Sequence, residues 1–213
     1  MKNIILTVLA IVAIAVSIFF FMSPKESNDT FLQKYTKGYM EVTYLGNKDT
    51  YTKVTQISND EANKLYEESV DIEMQYFNEF FEIKDLTQEE TKQLKDLIKE
   101  VYKKSKYEVS LAREIDENTY EVDIKISPLN VIKVVEEVLI KKLEEVNETQ
   151  FKDMNNKWGQ SIINILKENI SNIGYFEDET VVVKITKNSD NIFGFEQDSL
   201  NKIDSKVIKY DYN

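Results

Sequence analysis

The apolar residues of the segment TYEVDIKISPLNVIKVVEEVLIKKL, positions 119 to 143, change period at a proline. Before Pro128, Tyr120, Val122, Ile124 and Ile126 alternate with Glu121, Asp123 and Lys125, which predicts a half-buried strand. After it, Ile132, Val135, Leu139, Leu143 and Val146 recur at intervals of three and four, which predicts a helix. Pro128 ends the strand because it has no amide to donate and pushes Ser127 toward extended geometry.

The same reading extends along the chain. Phe31, Tyr35, Tyr39, Val42 and Leu45 mark a first helix, capped at Asp29 and ending near Gly46 and Asn47. A short apolar set follows at Tyr51, Val54 and Ile57. Ser58 with Glu61, and Thr87 with Glu90, fit the capping box, in which hydroxyl and carboxylate satisfy exposed amides reciprocally. They predict helices to about Phe81 and about Lys104. Tyr107, Val109, Leu111 and Ile115 then read as inward positions of extended chain, with Arg113 in the same phase and a short link at 116 to 118 leading into the strand at Tyr120. The helix after Pro128 runs to about Val146. Asn147 or Thr149 breaks it, and a second helix carries Phe151, Met154, Trp158, Ile162, Leu166 and Ile170. Val181, Val183 and Ile185 predict a third strand, Phe193 and Phe195 a short fourth, and Leu200 and Ile203 a terminal helix. The expected fold is α+β: an N-terminal transmembrane helix, then helices packed on an antiparallel sheet of about four strands interrupted by a helical pair.

The transmembrane expectation rests on residues 4–22, a run of 19 without a charge, 13 of them Leu, Ile, Val or Phe. At 1.5 Å of rise each they span about 28 Å, close to the hydrocarbon thickness of a bilayer. The small residues Ala13-Ile14-Ala15 lie inside the run and VSIFFFM follows them, so the segment reads as a retained anchor and not a cleaved signal. The division is residues 1–24 as anchor and 25–213 as one extracytoplasmic domain, on a single-pass plasma-membrane topology set by the short N-terminus.

Composition narrows the chemistry. The 213 residues include no cysteine and no histidine, which removes thiolate nucleophiles, Ser-His-Asp triads, Cys or His zinc sites, disulfides and lipid-modified cysteine. No cofactor is expected. The net charge of -11 has no basic footprint within it, so nucleic acid is excluded as a partner. DMNNKWGQSIIN from Asp153 puts Trp158 where a calcium loop needs glycine and Asn164 where it needs a bidentate glutamate. NSDNIFGFEQDS from Asn188 fails at Ile192 and Ser199. Helical carboxylates such as Glu67, Glu68, Asp71 and Glu73, or Glu136, Glu137, Glu144 and Glu145, supply residue types for an acid and base pair, but their placement reads as solvated helix faces. Two residues stand out as candidate ligand-binding positions, each with a structural alternative: Trp158, the sole tryptophan, also falls on the inward stripe of its helix, where core packing accounts for it, and Arg113, the sole arginine, is equally explained by pairing with a carboxylate or by a strand end reaching solvent. The tyrosines at 35, 39, 44, 51, 66 and 76 suit either a groove or a boundary between helices and sheet.

The order of helices, the hairpin strand TYEVDIKISPL, the long acidic-basic helical pair, VVVKITKN and a terminal helix resembles an uncharacterised family of Gram-positive bacterial surface lipoproteins and membrane-anchored proteins. The resemblance covers roughly residues 29 to 206, and its most recognisable piece is the strand ending in Ser127, Pro128 and Leu129. It implies an envelope location and carries over no catalytic residue. Met22, Ser23 and Pro24 stand where many such proteins have a lipid-attachment cysteine, so attachment would come from the apolar helix itself. The architecture is also similar to cystatin-like and nuclear-transport-factor-like cone folds, whose sheets are more continuous. The expected function is a membrane-anchored binding or interaction module of the cell envelope, without catalytic activity, whose partner is an envelope protein or polymer. The alternatives are a carboxylate-based envelope hydrolase and a structural assembly protein.

Overall fold

The computed structural model describes residues 27–189 and 192–212. The transmembrane expectation for residues 4–22 lies outside them. Among the described residues no helix is long and apolar enough to cross a membrane.

Among the described residues four helices come first: α1 (Asn28–Leu45), α2 (Asp49–Thr55), α3 (Asn59–Phe80) and α4 (Gln88–Tyr102). Ser27, and not Asp29, stands at the cap position of α1. Gly46 closes that helix in the left-handed region at φ 65°, and the Asn47 amide donates to the Glu41 carbonyl. The apolar set at Tyr51, Val54 and Ile57 belongs largely to α2, a helix of seven residues. Gly38 lets α2 close on α1, because a Cβ there would stand 2.9 Å from the Tyr51 backbone. Both capping boxes form: Ser58 Oγ accepts from the Glu61 amide and Thr87 Oγ1 from the Glu90 amide, each carboxylate reaching back to the cap amide.

Strands β1 (Lys106–Val109), β2 (Arg113–Asp116), β3 (Thr119–Ser127), β4 (Glu179–Lys187) and β5 (Phe193–Phe195) form one antiparallel sheet in the order β1, β3, β4, β5, with β2 also on β3. The sheet is therefore four strands wide, as expected, with its outer strand in two pieces. The alternation read from the sequence sets its inner face: Tyr120 opposes Ile185, Val122 opposes Val183 and Ile124 opposes Val181, all buried. Helices α1 and α8 (Gln197–Val207) lie against this sheet. Behind them α3 and α4 pack on α1, and α7 (Trp158–Asn169) joins α4 to α5 (Val131–Glu145).

The outer strand departs from the expected phase. Val109 opposes Ile124 and Arg113 opposes Glu121, so three residues, 110–112, lie opposite two, 122 and 123. One extra residue inverts the side-chain alternation. Ala112 is buried in consequence, while Leu111 and Ile115, expected inward, are 58% and 52% exposed. A second irregularity between Glu114 and Asp116 adds to the displacement.

The helical pair after β3 is in fact three helices, since a break at Lys157 separates α6 (Glu148–Asn156) from α7. Asn147 is the cap of α6, its side chain accepting from the Gln150 amide. No residue of α6 is buried, so Phe151 lies outside the core and not on an inward stripe.

The segment Pro128 to Asn130 has a role beyond ending β3. Leu129 is fully buried, takes the Val207 carbonyl on its amide at 2.9 Å and offers its own carbonyl to Lys209. The Phe176 amide donates to Pro128, and Asn130 exchanges hydrogen bonds with Gly174. These three residues therefore tie the ends of β3, α7 and α8 to one another.

Candidate functional site

The loop between α3 and α4 alternates like a strand without pairing as one: Phe81 and Ile83 are buried, while Glu82, Lys84 and Asp85 are exposed. Glu82 and Asp85 have positive φ, at 53° and 54°, a conformation side-chain-bearing residues seldom adopt. The break at Lys157 brings the start of α7 against this loop. There the Trp158 indole donates to the Phe81 carbonyl at 2.6 Å, a bond between residues 77 positions apart. Gly159 permits the approach, since a Cβ would stand 2.6 Å from Leu86 Cδ2 and 3.0 Å from Ile83 Cγ2.

Between these walls runs an open groove of about 990 Å³. Its apolar surface comes from Leu86, Leu143, Phe151 and Trp158, and its amides from Asn155, Asn156 and Gln160. The charged residues along it, Glu82, Asp85, Glu90, Lys84 and Lys157, include both signs. Phe151 is 48% exposed and adds a phenyl ring to the groove's surface. The Glu90 carboxylate is committed to the Thr87 capping box, which holds it below the usual carboxylate range.

A second cluster lies inside the fold. Glu73 of α3 is buried and accepts from Tyr210 at 2.5 Å and from Tyr102 at 3.3 Å. Asp204 of α8 accepts from the hydroxyl of buried Tyr44, which packs edge-on against Tyr102. Desolvation lifts Glu73 to about 7, opposed by the Tyr210 hydrogen bond and assisted by the charge of Asp204. Burial likewise lifts Asp204 to about 6, against the Tyr44 hydrogen bond. Desolvation, with the neighbouring carboxylates, pushes the hydroxyls of Tyr44, Tyr102 and Tyr210 well above the ordinary phenol value. Glu73 read from the sequence as one of a solvated helical set, and its burial corrects that reading. The signal was its place three residues after Val70 and four before Phe77, on the stripe that both occupy.

Arg113 is placed otherwise than its sequence phase implied. It lies on the outer side of the sheet, donating to Glu121 at 2.8 Å and to Asp123 at 2.7 Å, with nearly half its side chain in solvent. The bulge at 110–112 turns it outward, and its donors satisfy carboxylates of the neighbouring strand. The two candidate residues are thus not brought together: Trp158 lines the groove and Arg113 does not. Among the described residues no group of three or more acidic side chains is arranged to hold a metal ion.

No protein-family model matches the sequence, and no curated protein matches it. The fold is similar to that of ycdA from Bacillus subtilis strain 168, known from a crystal structure described as that of a candidate lipoprotein. The TM-score is 0.52 at 16% sequence identity, over 84% of this chain and 57% of the other. The chain thus spans little more than half the length of that protein, and what the two share at this identity is the fold.

Proposed function

We propose that this chain is an envelope-tethered, non-catalytic binding module, its extracytoplasmic domain carrying a partner of the cell envelope in the groove beside Trp158. The groove is the observation that carries the reading. It is large enough for a ligand of substantial size, it is walled by elements pinned to each other at Trp158 and Gly159, and it exposes Phe151. Tethering through residues 4–22 follows from their length and apolarity, and the fold likeness to a protein described as a candidate lipoprotein agrees with it.

The hydrolase alternative has one observation in its favour, the two carboxyls of raised pKa at Glu73 and Asp204. Neither lines the groove, and both face tyrosine hydroxyls inside the fold. The binding reading is therefore preferred.

The test is cosedimentation of the full chain, held in detergent micelles, with washed insoluble cell-envelope material. The expected result is saturable binding that weakens about tenfold in Phe151→Ala, as for a central contact residue, with no fragments released into the supernatant. Absence of wild-type binding overturns the module reading. Release of fragments that stops in Glu73→Gln or Asp204→Asn puts the hydrolase in its place.

A further inference from the structure

The chemistry of the groove identifies the class of molecule that fits it. Trp158 is half-buried, packed against the core, and spends its N–H on the Phe81 carbonyl, so the part of the indole that lines the groove is carbon surface. Phe151 of α6 also lines the groove and presents only carbon. The same lining holds the exposed planar amides of Asn155 and Asn156, which both donate and accept, while the Gln160 amide already donates to Asn164 and Gln93. We infer that the groove holds an uncharged oligosaccharide strand, with sugar rings stacked on Trp158 and Phe151 and hydroxyls bonded by these amides.

A pyranose has an apolar face of C–H groups and a rim of hydroxyls, each both donor and acceptor. An aromatic ring covers the face without asking for a polar partner, and planar amides pair with adjacent hydroxyls along the rim. An open groove, not an enclosed pocket, lets a polymer enter and leave at both ends.

Other occupants fit less well. An extended peptide is commonly recognised by adding to a free strand edge, and this groove is walled by helices and a loop that pairs with no strand. An amphipathic helix needs a continuous apolar floor, whereas here Leu86, Leu143, Phe151 and Trp158 are interleaved with amides and charges. A polyanion meets Glu82, Asp85 and Glu90 against two lysines, on a chain of net charge -11. This inference rests on the groove being the binding site proposed above.

Because Trp158 is the sole tryptophan, intrinsic fluorescence of the full chain in detergent micelles reads the groove directly. The probes are the dimer, tetramer and hexamer of β-1,4-linked N-acetylglucosamine and of β-1,4-linked glucose, with polyphosphate and an amphipathic helical peptide as the other arms. The expected result is a saturable change in emission for at least one uncharged series, tightening from dimer to tetramer. Phe151→Ala and the double variant Asn155→Ala with Asn156→Ala each weaken it about tenfold, and both substitute exposed side chains, so the fold survives them. Arg113→Ala leaves it unchanged. A saturable response to polyphosphate or peptide, with none to any oligosaccharide, overturns the sugar inference and leaves the binding module standing. No response to any probe, together with envelope cosedimentation that Phe151→Ala does not weaken, removes the groove as the site and both readings with it.

Discussion

The Tyr210 hydroxyl donates to Glu73 Oε1 at 2.5 Å, joining the C-terminal segment to the middle of α3 across 137 residues of chain. Tyr102, at the end of α4, donates to the other oxygen of the same carboxyl, and the neighbouring pair of Tyr44 and Asp204 adds α1 and α8. Four helices and the chain end thus meet at two acids that are costly to ionise where they lie.

That cost has a sign. Glu73 titrates at about 7 in the folded chain against an ordinary 4.5, and Asp204 at about 6 against 3.8, so in this interval the folded state holds more protons than the unfolded state. Their contribution to stability is complete below the ordinary carboxylate range and is lost as pH rises through 6 and 7. Carboxylates at or near the surface that hydrogen bonds from lysines hold low, Glu67, Asp178 and Glu179, titrate below that window. The urea midpoint should therefore be higher at pH 5 than at pH 8. Glu73→Gln should flatten the difference by up to about 3 kcal/mol, at roughly 1.4 kcal/mol per pKa unit. Equal pH dependence in wild type and variant would remove Glu73 as its source.

Tyr44→Phe keeps the ring against Tyr102 and deletes only the hydroxyl that Asp204 accepts from. Leaving that carboxyl without its donor should cost about 1 to 3 kcal/mol in urea unfolding at pH 8. The loss should shrink at pH 5, where the acid is protonated. A cost that does not change with pH would point to packing and not to the hydrogen bond.

Two glycines at close approaches should respond differently to one methyl group. At Gly38 a Cβ meets Tyr51 Cα and N at 2.9 Å, atoms of the α2 backbone that cannot turn aside. At Gly159 the nearest atom is Leu86 Cδ2, the far end of a side chain that can rotate. Gly38→Ala should cost about 3 kcal/mol and Gly159→Ala about 1 kcal/mol, spanning the usual range for overpacking. Thermal unfolding of both variants checks the order, and a reversal would contradict the α1 to α2 packing described above.

Arg113 is a surface cation in an ion-pair triad with Glu121 and Asp123. A double-mutant cycle of Arg113→Ala with Glu121→Ala should return a coupling no larger than that of an ordinary surface ion pair, falling in high salt. A coupling several times larger would mean that the pair is screened from solvent more than its exposure indicates.

Much of the fold was legible in the residues themselves. Ser58 and Glu61, Thr87 and Glu90, and the period change at Pro128 each act within one or two turns of chain, and each element begins or ends where they place it. The candidate site was legible only in part. Trp158 drew notice as a lone large ring, but neither the break at Lys157 nor the neighbouring loop at 81–86 follows from α6 and α7 read as one periodic stretch.

What the sequence alone determined was therefore the inventory: the strands and their buried faces on β3 and β4, most of the helices with their caps, the acidity, and the absence of thiol and imidazole chemistry. The tertiary structure decided the phase of β2, the burial of Glu73 and the groove at Trp158. The physical reason is range. Periodicity and capping are satisfied by near neighbours, whereas one extra residue in a strand, or a hydrogen bond across 77 or 137 positions, takes its meaning from a partner that only folding brings near.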